Sequence, residues 1–126
     1  MIQVTKEEYY DAICDKLPEL NYDMGLNTCM GDKDFYLELL NDFTELPIRE
    51  ELNQFLREED AKNYCIRVHG FKNNAYSVGA KEIGDLAYEL EKITKTSSFE
   101  KVAEMQAHMF ALYESVCTRY NEIVLR

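Results

Sequence analysis

The chain has 126 residues, with 14 Lys and Arg against 24 Asp and Glu, for a formal net charge of −10. That balance argues against phosphate-backbone binding, which needs a basic surface, and against docking on an anionic membrane. The length suits one domain, 46% hydrophobic residues suffice for a core without disulfides or metal, and no apolar run approaches the ~20 residues of a membrane span.

The opening MIQVTKEEYY lacks the apolar segment of a secretory leader, so a cytoplasmic location is the expectation. Cys14, Cys29, Cys65 and Cys117 form no CxxC pair and are expected as free, partly buried thiols. Two prolines, five glycines and no sustained alternating pattern point to helix throughout.

Thr5-Lys6-Glu7-Glu8 reads as a capping box. Behind it Tyr9, Tyr10, Ile13, Cys14 and Leu17 form one stripe, a short first helix ending near Pro18. Residues 19–31 carry turn formers without a period and read as a loop. Asp32 is a plausible N-cap for Phe35, Tyr36, Leu39, Leu40 and Phe43 at helical spacing. Leu46, Ile48, Leu52, Phe55 and Leu56 continue that pattern, with Pro47 read as a kink in one long helix. Glu58-Glu59-Asp60 opens the next helix, acids at the positive end of its dipole, and Tyr64, Val68, Phe71, Ala75 and Val78 are its core stripe. Gly79 breaks the pattern, and Ile83, Leu86, Ala87, Leu90 and Thr94 mark the following helix. Ser97-Ser98-Phe99-Glu100 reads as a second capping box. The last helix is expected to bury Phe99, Val102, Met109, Tyr113, Val116, Tyr120 and Ile123. The whole is one all-α domain over 1–126: an antiparallel four-helix bundle, its core over about 32–124, with a short additional N-terminal helix.

Histidine chemistry has two candidates, His69 and His108. His69 follows Val68 by one residue, which turns it roughly 135° from the centre of the inward stripe and toward water. Lys72 at i+3 is within reach of an anion held at His69, and Ile66 at i−3 is expected to be exposed beside it as a docking contact. With Gly79-Ala80 as the turn, residues equally far from Ala80 lie level on antiparallel helices, which sets Glu91 opposite His69 and Gly84 opposite Tyr76. A carboxylate accepting from Nδ1–H would fix the tautomer and leave Nε2 as a nucleophile. A glycine inside a helix costs about 1 kcal/mol relative to alanine, and room for Tyr76 is one reason to tolerate it. His108 is expected to be exposed, without an evident partner.

The segment from Val68 to Ala80, His69-Gly70-Phe71-Lys72-Asn73 followed by Gly79-Ala80, resembles the signature of histidine-containing phosphotransfer (HPt) domains. The likeness continues through Ile83, Leu86, Leu90 and Glu91, and upstream through Gly31-Asp32-Lys33-Asp34-Phe35-Tyr36, Leu39-Leu40 and Phe43, covering residues ~20–124 in helix order and spacing. It implies His69 as phosphoacceptor, Lys72 as the lysine that steadies the phosphoryl group, and Glu91 as the residue that orients the imidazole. Ile66, Asn73 and Tyr76 would surround the binding face. Asn73 departs from the pattern, which has a small residue there, so its side chain either narrows access to the ring or donates to the phosphoryl oxygens.

The implied role is that of a phosphorelay intermediate, a phosphohistidine carrier rather than an enzyme. It would take a phosphoryl group from the aspartate of one response-regulator receiver domain and pass it to another, in a system headed by a hybrid sensor histidine kinase. The receiver would supply Mg²⁺ and most of the catalysis, so no cofactor of the chain's own is expected. No nucleic-acid or membrane partner is expected either, and a monomer is. Gly70, Gly79 and Gly84 are scattered and form no ATP-binding loop. The alternatives are an HPt-like docking module that binds signalling partners without phosphotransfer, a metal-binding bundle, and a plain helical scaffold. A ferritin-like metal site needs Glu-x-x-His on two helices, whereas Glu104 lies four residues before His108.

Overall fold

The computed structural model describes residues 5–124, the side chains of Lys6 and Val124 excepted. Seven helices occupy these residues, without a strand: α1 (Lys6–Lys16), α2 (Tyr22–Thr28), α3 (Lys33–Thr44), α4 (Ile48–Arg57), α5 (Ala61–Ser77), α6 (Lys81–Ile93) and α7 (Phe99–Val124).

Thr5 caps α1 as expected, its hydroxyl accepting from the Glu8 amide at 3.1 Å; the same hydroxyl donates to the Glu8 carboxylate at 3.2 Å. The loop expected over 19–31 is corrected to a helix, α2. Asn21 caps it by accepting from the Met24 amide at 3.0 Å. The Tyr22 hydroxyl then closes the end of α1 by donating to the carbonyls of Leu17 and Ile13 at 2.6 and 3.0 Å. Gly25 lets α2 lie on Tyr36, whose Cε1 would be 2.3 Å from a Cβ there.

The kink expected at Pro47 is a break. Proline lacks an N–H and disfavours helix in the residue before it, so α3 ends at Thr44 and α4 starts after Pro47. The carbonyls this frees find donors on α7. The Tyr113 hydroxyl donates to the Phe43 carbonyl, and the Cys117 thiol lies 3.5 Å from that of Thr44. α3 and α4 pass along α7 in the opposite sense. Tyr120 bonds Asn41 at 2.9 Å, Arg49 pairs with Glu114, and Gln106 donates to Asn53 at 2.7 Å. Gln106 is a buried polar residue that periodicity missed. Its oxygen accepts from the Tyr64 hydroxyl at 2.7 Å, so both its polar groups are satisfied inside the core.

Further starts and faces also differ from expectation. Glu58 ends α4 and Glu59 sits at φ +53°, so Asp60 alone caps α5. The cap of α7 is Ser98, accepting from the Lys101 amide at 3.3 Å, rather than Ser97 paired with Glu100. Phe35 points to water, and Phe99 and Ile123 are only half-buried. The α5 stripe is wholly buried, as are Ile83, Ala87, Leu90 and Thr94 of the next helix. Phe43 stacks on Phe71 with centroids 5.6 Å apart, and Tyr113 meets both edge-on, joining α3, α5 and α7. The cysteines are free, Cys29 buried and the others half-buried.

Between α5 and α6, Gly79 turns the chain at φ +81°. Its carbonyl accepts from the Asn21 amide at 2.8 Å, and the Val78 carbonyl accepts from the Tyr36 hydroxyl at 2.7 Å. Both bonds clamp the hairpin against α2 and α3, which fixes the helices that carry the site.

Candidate functional site

The inward stripe of α5 determines where His69 lies. Val68 is fully buried, and the next residue turns outward by about 100°. The His69 side chain is 52% exposed. Glu91 stands opposite on α6, and both its oxygens face the imidazole, 2.9 and 3.1 Å from Nδ1. The register about Ala80 holds further along: Tyr76 fills the space beside Gly84.

A carboxylate offers acceptors only, so at this distance the hydrogen must be on Nδ1. The lone pair is then on Nε2, which has no hydrogen-bond partner among the described residues. The arrangement gives a fixed imidazole with its basic nitrogen toward solvent.

The Lys72 side chain is only 14% exposed, and its ammonium bonds Glu91 Oε1 at 3.1 Å. It also approaches Nδ1 of His69 to 3.2 Å. With Nδ1–H directed at Glu91, Lys72 and His69 are two donors sharing one carboxylate. Burial pushes the Glu91 carboxyl up, but the bonds from Lys72 and His69 outweigh it and hold the group below the usual glutamate range. The Cys65 thiol, one turn before His69, lies 3.7 Å from the Glu91 carbonyl and supports the same stretch of α6.

Ile66 is 62% exposed, as its position predicts, and Asn73 is exposed one turn beyond His69. Tyr76 is engaged elsewhere: its hydroxyl donates to Asp85 at 2.6 Å, and Lys81 donates to the other Asp85 oxygen at 2.8 Å. Burial and the Asp85 carboxylate push the Tyr76 hydroxyl up to about 12, which keeps it a donor. Among the described residues, none of Ile66, Asn73 and Tyr76 shares a hydrogen bond or ion pair with His69. His108 is exposed on α7. Among the described residues no group of three or more His, Cys, Asp and Glu side chains could hold a metal, and no helix is long and apolar enough to cross a membrane.

One neighbour escaped the sequence reading. Tyr88 lies level with Lys72, and its ring centroid is 5.4 Å from the Lys72 ammonium. The register that identified Glu91 also points to it.

Compared with known proteins, the chain matches no family model, no curated protein and no solved structure.

Proposed function

We propose that this chain is a phosphohistidine carrier of a phosphorelay, with His69 as the acceptor. The observation that carries the proposal is the pairing of a half-exposed imidazole with Glu91 through Nδ1, which leaves Nε2 open. The lone pair on Nε2 attacks the phosphorus of a receiver's aspartyl phosphate. An N–P bond forms, the acyl O–P bond breaks, and the electron pair leaves with the receiver aspartate. The ring keeps its hydrogen on Nδ1 and becomes cationic, and the Glu91 carboxylate stabilises that charge. Lys72 turns from Glu91 to the phosphoryl oxygens. The reverse attack by an aspartate of a second receiver discharges the ring.

The bound Mg²⁺ of the receiver supplies charge neutralisation on its own side of the complex. Ile66 and Asn73 form part of the face presented to it, Tyr76 frames that face farther along α5, and a hybrid sensor kinase stands upstream. The proposed architecture is a four-helix bundle over about 32–124, one domain in all. Its legs are α3 with α4, then α5, α6 and α7, with α1 and α2 packed at one end. The opposed pairings of α3 and α4 with α7, and of α5 with α6, support it. A cytoplasmic monomer fits a carrier that meets two receivers in turn.

The test is incubation of wild type and His69→Gln with a phosphorylated receiver domain, reading acid-labile phosphate on the chain. Labelling confined to wild type is expected. Equal labelling of both, or label on His108, would refute the proposal. Stable binding of the receiver without any labelling would assign a docking role instead.

A further inference from the structure

Tyr88 lies on α6 one turn before Glu91, with 47% of its surface exposed. Two ammonium groups approach its ring, Lys72 Nζ at 5.4 Å and Lys92 Nζ at 4.9 Å from the centroid. Both are within the ~6 Å over which an aromatic quadrupole attracts a cation. Lys92 is also paired with Glu89 at 3.5 Å. The Lys72 ammonium thus rests on two groups, Glu91 and the Tyr88 ring.

The two hold Lys72 differently. A carboxylate neutralises the cation it binds and competes with any incoming anion for it. An aromatic ring attracts the cation and leaves its charge intact. A lysine held by Glu91 alone would also be a four-carbon chain tethered by one partly exposed ion pair, which orders such a chain weakly. The ring adds order at no cost in charge. That matters at a site that must receive a dianionic group on a chain of net charge −10.

We infer that Tyr88 is a positioning residue, its ring holding Lys72 beside His69, so that the ammonium stays poised for the phosphoryl group. The consequence for phosphotransfer rests on the carrier function proposed above; the placement of Lys72 does not.

The experiment compares wild type, Tyr88→Phe and Tyr88→Leu. In the free protein, the ε-methylene protons of Lys72 and Lys92 should be shifted upfield by the ring current, relative to the exposed Lys62 and Lys101. Tyr88→Phe should keep that shift and Tyr88→Leu should abolish it, with helical circular dichroism unchanged in both. At saturating phosphorylated receiver, Tyr88→Leu should label His69 about two- to five-fold more slowly, the size of an exposed cation–π contact, and Tyr88→Phe at the wild-type rate. Identical lysine shifts in wild type and Tyr88→Leu would overturn the inference. So would equal slowing in Tyr88→Phe, which would assign the effect to the hydroxyl, or slowing seen only below saturation, which would make Tyr88 a docking contact. A wild-type His69 that takes no phosphoryl group would refute the carrier function, and the lysine shifts would still decide the placement.

Discussion

Tyr76 occupies the space that any side chain at position 84 would need: a Cβ on Gly84 would lie 2.4 Å from Cε1 of the ring. Gly84→Ala should therefore destabilise the fold. Overpacking costs about 1–3 kcal/mol, and the gain in helix propensity returns about 1 kcal/mol, leaving a net loss of about 1 kcal/mol. In a Tyr76→Ala background the ring is gone and the sign should reverse, with Gly84→Ala stabilising by about 0.5–1 kcal/mol. Urea unfolding of the four proteins of this cycle measures both. Equal effects of Gly84→Ala in the two backgrounds would show that the ring does not fill that space.

Gly79 and Gly31 both sit at positive φ, +81° and +79°, but in different surroundings. A Cβ on Gly79 would lie 2.0 Å from the Asn21 carbonyl oxygen, whereas nothing lies within 4 Å of one on Gly31. Gly31→Ala should cost only the left-handed backbone penalty, about 1 kcal/mol. Gly79→Ala should add loss of the Asn21–Gly79 bond and displacement of α2, for about 2–4 kcal/mol. Thermal unfolding midpoints should rank wild type above Gly31→Ala and Gly31→Ala well above Gly79→Ala.

The parts of the fold legible in the sequence are those where one helix carries a long stripe and a short turn fixes its partner. α5 and α6 are such a pair, and their register set Glu91 opposite His69. α2 was not legible because its support is tertiary. It has seven residues with a glycine among them, and it is held by its Asn21 cap, the Asn21–Gly79 bond and the Tyr36 ring. At Pro47, the choice between kink and break depends on whether the freed carbonyls find donors, and those donors, Tyr113 and Cys117, lie on the last helix. Lys72 lies beside His69, as its i+3 spacing predicts, but its ion pair with Glu91 is not legible in that spacing. A flexible chain chooses among acceptors by rotamer, and helical spacing says nothing of that choice. Tyr88 was within the same register, yet an outward tyrosine carries no periodic signal.

Lys72→Ala should leave helical content unchanged and lower stability by no more than about 1 kcal/mol, since its ion pair lies at the rim of the α5–α6 hairpin. Labelling of His69 should slow by about tenfold, less than the about 100-fold of a donor in a water-excluded site. The Glu91 carboxyl, deprived of one of the two bonds that hold it down, should titrate higher than in wild type, as read from its carbon-13 shift. An unmoved Glu91 titration would show that Lys72 does not rest there in solution.

Glu91 should decide which nitrogen of His69 carries the hydrogen. Its oxygens lie 2.9 and 3.1 Å from Nδ1 and can only accept, so two-dimensional NMR at a pH where the ring is neutral should find Nδ1–H predominant. Glu91→Gln retains an acceptor and should keep that tautomer. Glu91→Ala should relax the ring toward Nε2–H and slow labelling, with a stability change of about 0–1 kcal/mol. The pH dependence has a definite sign. The carboxyl of Glu91 is held below its unfolded value of about 4.3, so on acidification the unfolded chain takes up its proton first. The stabilisation is present in full above the unfolded value and is lost as pH falls through the folded one. Glu91→Gln has no such proton to take up, so its stability should fall less steeply than that of wild type below about pH 4.3. Parallel curves for the two proteins, or a wild-type ring already protonated at Nε2, would refute the role given to Glu91.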